Sequence, residues 1–253
     1  MFTNAIVRTP ASSLALGLSA NNLGRPDYGL ALQQHEAYIA ALESCGLNVR
    51  CLDPLLDFPD STFIEDVALL TPHCGVITNP GAPSRRGEVN GLITILDEYY
   101  GHVERIQPPG TLEAGDVMMV DSHFYIGLSA RTNRDGADQL IQILTQYDLT
   151  GSVINLKEVL HLKTGVAYLE HNNLLACGEF LTKPDFASFN LMPVDPLERY
   201  AANCIWVNDK VLVPAGFPRT SAQVSNAGYK VLEVDVSEFR KLDGGLSCLS
   251  LRF

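Results

Sequence analysis

Apolar residues in this chain occur in short runs that are separated by turn residues and by longer stretches of helical spacing. The run Ala5-Ile6-Val7 stops before Thr9 and Pro10 and predicts a first β-strand over residues 4–8. Comparable strand-like runs recur to the end of the chain, with helix-like stretches between them. This alternation predicts an α/β fold.

A helix is predicted after the Gly-, Ser- and Asn-rich loop over residues 12–26. Tyr28, Ile39 and Leu42 fall on one face of a helix at 3.6 residues per turn. Asp27 is placed to cap its first turn, and Gly46 is placed to end it. The preceding loop is long enough to act as a lid over a neighbouring site.

Four pairs of apolar runs, each joined by a short turn, predict four β-hairpins. Their turns fall at residues 71–74, 121–122, 171–172 and 208–209. Each hairpin is followed by a helical or irregular stretch and a further strand, which indicates an internal structural repeat. The first such helix is predicted over Val89 to Tyr100, and the second runs through Ala137, Leu140, Ile141 and Leu144. A last strand over Leu246–Phe253 would need the first strand, at Ile6, as its partner to complete a fifth repeat.

A chain closed by pairing its last strand with its first forms a ring, and the entry to each hairpin then faces a common centre. The residues that such a centre would gather are Asp66, Glu113, His161 and Cys248. The alternative is an open α/β sheet in which these four residues never meet. The apolar pattern is compatible with both arrangements.

The composition is that of an ordinary globular protein, with 253 residues, 46% of them hydrophobic and 19% charged. A net charge of −11 argues against nucleic acid as a partner and favours a cationic small molecule, although acidic charge also serves solubility. No apolar run approaches the ~18 residues of a membrane span, and the first residues lack signal-peptide features, so a cytoplasmic location is predicted. The six cysteines contain no Cys-x-x-Cys pair, which argues against a disulfide framework and a standard zinc site.

The tail contains the first candidate for chemistry. Gly244 and Gly245 permit a tight turn and the close approach of a ligand, and Cys248 follows three residues later. A thiolate held there is a candidate nucleophile, and a positive charge beside it would lower its pKa. The ordinary alternative is that Cys248 is a small packing residue.

Glu113 and His161 are the candidates to assist such a thiol. Glu113 stands directly before an apolar strand, where a carboxylate is either a solvated turn residue or a buried partner for a cation. His161 is flanked by leucines, a setting typical of a satisfied core histidine. Beside a thiol and a carboxylate, a histidine instead serves as a general acid and base.

Charged residues near the hairpins suggest the two ends of a ligand. Arg85 and Arg131 each follow a hairpin, and two guanidinium groups suit the capture of a carboxylate. The carboxylates that would face a cation are Asp60, Glu65, Asp66 and Glu113. A ligand with a carboxylate at one end and a guanidinium at the other is an arginine, whereas exposed arginines without a ligand are the ordinary alternative.

Five ordered motifs give the sequence a specific resemblance. They are the segments at residues 58–66, 81–88, 113–116, 161–165 and 243–248. Together they resemble the bacterial type of dimethylarginine dimethylaminohydrolase, within the arginine-modifying penteins. The resemblance runs from the first strand to the last residue. It implies the pentein fold, a five-bladed pseudo-symmetric α/β propeller with a central active site, formed by a single catalytic domain over residues 1–253.

The same resemblance implies a role for each candidate residue. Cys248 would be the nucleophile, His161 the general acid and base, and Glu113 the carboxylate that aligns the guanidinium and supports the histidine. The implied substrate-binding residues are Leu18, Asp60, Phe63, Glu65, Asp66, Arg85, Arg131, Leu242 and Ser247. Among these, Asp60 and Asp66 would bind guanidinium nitrogens, and Glu65 would be mainly structural. Backbone atoms near Leu18 and Leu242 would fix the α-amino end.

The implied reaction is hydrolysis of asymmetric dimethyl-L-arginine and monomethyl-L-arginine to L-citrulline and dimethylamine or methylamine, through a covalent S-alkylthiouronium on Cys248. No metal or cofactor is expected, and the resemblance allows a homodimer. Arginine deiminase and amidinotransferase activities, a non-catalytic arginine-binding protein and a cysteine peptidase are the alternatives. A deiminase generally carries an extra helical insertion, for which this chain is too short.

Overall fold

The computed structural model describes residues 1–253 as two compact units. Unit 1 comprises Met1–Ile64 and Gly165–Phe253, and unit 2 comprises Glu65–Thr164. Each unit has its own sheets and its own apolar core, and the expectation of one catalytic domain over residues 1–253 stays a prediction. None of the helices combines the length and the apolar character needed to cross a membrane.

The secondary structure elements are short. The strands are β1 (Asn4–Arg8), β2 (Asn48–Leu52), β3 (Ala68–Leu70), β4 (Gly75–Ile77), β5 (Val103–Arg105), β6 (Val117–Val120), β7 (His123–Leu128), β8 (Thr150–Asn155), β9 (Val166–Tyr168), β10 (Asn173–Ala176), β11 (Asn190–Pro193), β12 (Ile205–Val207), β13 (Lys210–Pro214), β14 (Lys230–Val234) and β15 (Leu251–Arg252). The α-helices are α1 (Tyr28–Ser44), α2 (Leu92–Leu96), α3 (Arg134–Gln146), α4 (Leu162–Gly165), α5 (Pro218–Asn226) and α6 (Ser237–Arg240).

The fifteen strands form five three-stranded sheets with one common plan. In each sheet the central strand is antiparallel to one neighbour and parallel to the other. Unit 1 contains the sheets β15-β1-β2, β9-β10-β11 and β12-β13-β14, and unit 2 contains β3-β4-β5 and β6-β7-β8. Four of the antiparallel pairs are the predicted hairpins, and the fifth pairs β15 with β1, as expected from the sequence.

Three of the predicted turns contain residues in the left-handed region of the backbone map. Asp121, Asn172 and Asn208 have φ values of 52°, 62° and 58° at the tips of their hairpins. Asp and Asn tolerate this region better than other residues with a Cβ, and tight hairpin turns require it. The sequence therefore located these turns through residue chemistry as well as through the apolar pattern.

Two of the predicted helices form as expected, whereas one is shorter. The side chain of Asp27 accepts a hydrogen bond from the backbone N–H of Leu30 at 2.8 Å, so the predicted cap of α1 is confirmed. Helix α3 buries Ala137, Leu140 and Leu144, as its spacing predicts. The helix predicted over Val89 to Tyr100 is reduced to the five-residue α2, because Gly91 has a φ of 77° and separates α2 from a 3-10 helix over Pro83–Val89.

The predicted strand over Leu246–Phe253 is also shorter in the structure. Residues Ser247–Leu249 form a 3-10 helix, and only β15 is a strand. The error came from the buried leucines: Leu246 and Leu249 are three residues apart, which is the period of a 3-10 turn rather than of a strand. Cys248 therefore lies within a tight helical turn.

The core of unit 1 holds this turn in place. Leu246 and Leu249 pack in a cluster that includes residues of β1 and α1. Within that cluster the Tyr38 hydroxyl donates to the carbonyl of Leu246 at 2.9 Å and pairs with the Ser250 hydroxyl at 2.7 Å. Buried polar groups that are satisfied in this way fix one arrangement of the backbone. The longest helix of unit 1 thus fixes the turn that carries Cys248.

Candidate active site

Unit 2 brings together a group of buried charged residues where its strands begin. Asp66 lies in a 3-10 helix over Ile64–Val67 that leads into β3, and it is 3% exposed. Its Oδ1 accepts from the backbone N–H of Gly115 at 3.0 Å. A Cβ on Gly115 would lie 2.7 Å from that same oxygen and 3.1 Å from the His161 ring, so the glycine allows the close approach.

Arg85 is held between two carboxylates. Its Nη1 donates to Asp66 Oδ2 at 2.5 Å, and its Nη2 donates to Glu88 Oε2 at 2.8 Å. Burial disfavours the charged guanidinium, but Asp66 and Glu88 outweigh burial and hold the pKa of Arg85 well above its ordinary value. Burial alone would raise the pKa of Asp66, whereas His161 and Arg85 lower it, so this carboxylate is ionised. Arg85 thus organises carboxylates, and its predicted role as a clamp for a substrate stays a prediction.

Glu113 directly precedes the 3-10 helix Ala114–Asp116 and is 1% exposed. Its Oε1 accepts from the backbone N–H of Ala82 at 3.0 Å and lies 3.6 Å from Nη1 of Arg131. Burial, reinforced by the charge of Asp66, raises the pKa of Glu113. The ionised form of Glu113 therefore lacks sufficient positive charge nearby.

His161 lies among three carboxylates. Its Nε2 is 3.4 Å from Glu113 Oε2 and 3.8 Å from Asp66 Oδ1, and its Nδ1 is 3.3 Å from Asp116 Oδ2. The contact with Asp116 has the distance of an ion pair, without the geometry of an aligned hydrogen bond. Burial lowers the pKa of His161, but Asp116, Asp66 and Glu113 outweigh burial and raise the pKa to about 9. The imidazole is therefore protonated at neutral pH.

Asp116 completes this group, and it was not among the predicted site residues. Its side chain is fully buried. Its Oδ2 accepts from the hydroxyls of Ser129 and Thr132, each at 2.7 Å, and its Oδ1 accepts from the backbone N–H of Leu162 at 3.0 Å. Three donors thus fix the carboxylate, which faces Nδ1 of His161 at 3.3 Å. The available signal was its place in the motif over residues 113–116.

Unit 1 places Cys248 in a half-buried position within the tail turn. The backbone N–H of Gly245 donates to its Sγ at 3.4 Å. The adjacent Ser247 is anchored by Asn203, whose Oδ1 accepts from the Ser247 N–H at 2.9 Å and whose Nδ2 donates to Ser247 Oγ at 3.0 Å. Asn203 was not predicted either. A Cβ on Gly245 would lie 2.6 Å from the Asn203 side chain, so a glycine is needed there.

Four other predicted residues also belong to unit 1. Phe63 is 5% exposed, and a Cβ on Gly244 would lie 2.1 Å from its ring, so Phe63 forms a wall against the turn. Asp60 is 6% exposed, and its Oδ1 accepts from the backbone N–H of Leu18 at 2.9 Å. Leu242 is buried, whereas Leu18 is 42% exposed.

The remaining predicted residue, Glu65, lies in unit 2. It is buried and accepts from Lys163 Nζ at 2.7 Å. Lys163 is thus an ion-pair partner of this buried carboxylate. The mainly structural role expected for Glu65 stays a prediction.

Comparisons with known proteins place the chain in a family. A family model described as "N,N dimethylarginine dimethylhydrolase, eukaryotic" matches residues 27–184. An N(G),N(G)-dimethylarginine dimethylaminohydrolase from Pseudomonas aeruginosa is 58% identical over 254 residues, which cover all of both chains. This chain belongs to the dimethylarginine dimethylaminohydrolase family.

Solved structures agree with this assignment. A cysteine-to-serine variant of the dimethylarginine dimethylaminohydrolase from Pseudomonas aeruginosa, in complex with citrulline, matches with a TM-score of 0.99 at 57% identity and covers all of both chains. The N-terminal domain of a cyanobacterial arginine dihydrolase matches with a TM-score of 0.89 at 20% identity, over 100% of this chain and 97% of that one. The second likeness concerns the fold alone. The predicted α/β pentein fold class is confirmed.

Within this member of the dimethylarginine dimethylaminohydrolase family, unit 2 also contains a set of groups with the geometry to hold a metal ion. Ligand atoms of Asp66, Glu113 and His161 all lie within 4.8 Å of one another. Metal ligation requires a neutral imidazole, whereas the pKa of His161 is raised to about 9. Two buried carboxylates also suit a guanidinium, which offers several N–H donors with its charge. At neutral pH, Asp66 and Glu113 can therefore bind an organic cation without His161 first losing its proton.

Proposed function

We propose that this chain hydrolyses asymmetric dimethyl-L-arginine and monomethyl-L-arginine to L-citrulline and dimethylamine or methylamine. The observation that carries the proposal is the acidic group of unit 2, in which the pKa of Glu113 is raised by burial and by Asp66. A guanidinium beside Glu113 would supply the missing positive charge and favour the ionised carboxylate. Identity of 58% over all of both chains with a dimethylarginine dimethylaminohydrolase supports the same substrate class.

The first half of the reaction uses Cys248 and His161. The Cys248 thiolate attacks the guanidinium carbon and forms a C–S bond, and carboxylates that hold the positive charge on the substrate keep this carbon electrophilic. The C–N bond to dimethylamine then breaks. His161, which carries a proton at neutral pH because its pKa is about 9, gives that proton to the departing amine. The product of this half is an S-alkylthiouronium on Cys248.

The second half reverses the role of the histidine. Neutral His161 takes a proton from water, and the resulting hydroxide attacks the same carbon. The C–S bond breaks, the added hydroxyl gives its proton to bulk water as the carbonyl of citrulline forms, citrulline leaves, and the Cys248 thiolate and the His161 imidazolium are restored. Asp116 is a positioning residue in this scheme, because its carboxylate faces Nδ1 of the charged His161 at 3.3 Å and leaves Nε2 for proton transfer.

The substrate contacts are part of the same proposal. Asp60 and Asp66 bind guanidinium nitrogens, and Arg85 and Arg131 bind the α-carboxylate. Backbone atoms of Leu18 and Leu242 bind the α-amino group. Phe63 lines the pocket, and Ser247 lies beside Cys248. The further parts of the proposal are a single catalytic domain over residues 1–253, a cytoplasmic location and a homodimer.

The test compares asymmetric dimethylarginine, monomethylarginine and arginine side by side. Citrulline is quantified together with dimethylamine, methylamine or ammonia, for the wild type and for Cys248→Ser. Cys51→Ser serves as the matched control because Cys51 is an exposed thiol in unit 1. We expect turnover of the methylated substrates, loss of turnover in Cys248→Ser with binding retained, and no effect in the control.

Each other outcome selects an alternative. Citrulline and ammonia from arginine alone would make the chain a deiminase. Binding of arginines without any citrulline would indicate an amidinotransferase or a non-catalytic binding protein. Turnover that survives Cys248→Ser would contradict the covalent mechanism.

A further inference from the structure

An exposed loop in unit 1 contains no helix or strand, yet its residues form many hydrogen bonds. The loop covers residues 17–27, between the first 3-10 helix and α1. Leu18 and Leu23 in this loop are 42% and 49% exposed. A segment with so little apolar burial depends on hydrogen bonds for its position.

The hydrogen bonds of the loop converge on one short segment, residues 238–243. Ser19 Oγ donates to the carbonyl of Lys241 at 2.9 Å. Asn21 Nδ2 donates to the carbonyl of Arg240 and to Oδ1 of Asp243, both at 2.8 Å. The backbone N–H of Ala20 donates to Oδ2 of Asp243 at 2.5 Å. Both carboxylate oxygens of Asp243 are thus used to hold the loop.

The backbone at Asp243 makes this arrangement unusual. Asp243 has a φ of 59°, in the left-handed region, and Gly244 and Gly245 follow it. A glycine at position 243 would adopt this φ without steric strain, whereas an aspartate adopts it less readily. The side chain therefore does something at this position that a glycine could not. The Asp243 side chain accepts hydrogen bonds from Ala20 and Asn21.

The loop also approaches a predicted substrate-binding carboxylate. The Leu18 N–H donates to Oδ1 of Asp60 at 2.9 Å. A Cβ on Gly17 would lie 2.8 Å from that oxygen and 3.1 Å from the Leu242 side chain, so the loop enters here through a glycine. Leu18 and Leu242 are the residues whose backbone is assigned to the α-amino group of the substrate. Asp243 directly follows Leu242 and binds Ala20 and Asn21, which lie two and three residues after Leu18.

We propose that Asp243 is a positioning residue that holds the loop over residues 17–21 in place and thereby sets recognition of the substrate's α-amino group. The inference rests on the proposed function, because it assumes the backbone contacts of Leu18 and Leu242 with that group. The segment that carries Asp243 is itself held firmly. The Arg240 guanidinium lies 4.8 Å from the Tyr200 ring and 5.2 Å from the Phe217 ring, and the Tyr200 hydroxyl donates to the Gly244 carbonyl at 2.7 Å.

The test uses Asp243→Asn, which keeps the shape and tolerates the left-handed backbone. The new amide can still accept from Asn21 through its oxygen, but its NH₂ group would face the N–H of Ala20, so a charge-assisted hydrogen bond is lost. The second variant, Asn21→Ala, removes contacts from the loop side. Asp148→Asn is the matched control, because Asp148 is an exposed aspartate with a φ of 57° in unit 2.

We expect the KM for dimethylarginine to rise roughly tenfold in Asp243→Asn and in Asn21→Ala, with kcat within about twofold. With a dimethylguanidino acid that lacks the α-amino group, wild type and variants should have equal kcat/KM. A general structural defect would lower kcat/KM for both substrates alike, and that result would overturn the proposal. An unchanged KM in Asp243→Asn would overturn it as well.

A readout that does not depend on activity separates this inference from the proposed function. We expect a nonspecific protease to cut within residues 18–25 several times faster in Asp243→Asn than in the wild type or in Asp148→Asn. Equal cutting rates would contradict the role of Asp243 whether or not the chain is an enzyme. Faster cutting of Asp243→Asn than of the wild type, together with a wild type that releases no citrulline, would sustain the loop contact and count against the proposed function alone.

Discussion

Two buried histidines of this chain are in opposite protonation states. His35 in α1 of unit 1 is 3% exposed, and burial lowers its pKa to about 4, with only partial compensation from the backbone of Arg8. His161 in unit 2 is 7% exposed, yet Asp116, Asp66 and Glu113 outweigh burial and raise its pKa to about 9. At neutral pH, His35 is neutral and His161 is charged. Neighbouring carboxylates, and not depth of burial, decide which buried histidine holds a proton for chemistry.

The largest expected effect is on turnover when each histidine is replaced by glutamine. His161→Gln should lower kcat by roughly 10³-fold, because the departing amine loses its proton donor. His35→Gln is the matched control, and its kcat at pH 8 should stay within about twofold of wild type. Steady-state citrulline release measures both. Similar losses in the two variants would show that the difference between the histidines has no bearing on catalysis.

Glu113→Gln should have the next largest effect, because it removes one of the carboxylates that distinguish the surroundings of His161. We expect kcat/KM for dimethylarginine to fall roughly 100-fold, since a buried cation loses its partner. Calorimetric titration with dimethylarginine in a Cys248→Ser background measures the binding part. Unchanged affinity there would show that Glu113 does not face the guanidinium.

The pH dependence of the free energy of unfolding should reveal that buried His35 is neutral. Its pKa of about 4 lies below the value of ~6.5 expected in the unfolded chain, so the unfolded state takes up a proton first as the pH falls from 6.5 towards 4. The free energy of unfolding should therefore drop by roughly 2 kcal/mol between pH 8 and pH 5 on account of this residue. Urea unfolding at the two pH values measures the drop, and His35→Gln should be less sensitive to acid by that amount. An equal drop in both proteins would contradict a neutral buried His35.

His161 should change the free energy of unfolding with pH in the opposite direction. Its folded pKa of about 9 exceeds ~6.5, so its contribution to stability is complete below pH 6.5 and is lost as the pH rises through 9.

Asp116→Asn removes one of the charges that raise the pKa of His161, and the alkaline limb of kcat should move to lower pH with roughly a tenfold loss of kcat at pH 8. A pH profile of kcat from 6 to 10 measures the shift. An alkaline limb that stays in place would show that Asp116 does not support the proton on His161.

Residue chemistry within short segments made much of the fold predictable. The cap at Asp27 and the hairpin turns follow from local patterns and are confirmed, and the pairing of the last strand with the first, which the repeat required, is confirmed as well. The tail strand and the helix predicted over Val89 to Tyr100 were too long. The tail was misread because its leucines three residues apart have the spacing of a 3-10 turn, and the helix was too long because an apolar pattern does not show the positive φ of Gly91.

Sequence motifs predicted which residues belong to the candidate site, but they did not predict the tertiary contacts between those residues. Asp116 was visible as part of a motif, but its importance depends on donors from residues 129, 132 and 162 that reach one carboxylate. Asn203 meets Ser247 from 44 positions earlier in the chain. These contacts join residues that are far apart in the sequence, so they depend on the fold. Sequence motifs therefore suggested roles for Cys248 and His161 but did not reveal Asp116 and Asn203, which lie beside them.

The central claim is covalent catalysis by Cys248, and the most direct measurement is mass spectrometry of the protein quenched with acid during turnover of dimethylarginine. We expect the intact protein to gain the substrate without dimethylamine, and proteolytic mapping to place the adduct on Cys248 among the six cysteines. The adduct should be absent from Cys248→Ser and should accumulate in His161→Gln if its removal by water slows more than its formation. Citrulline release with no adduct in any quenched sample, or an adduct on another cysteine, would contradict the account.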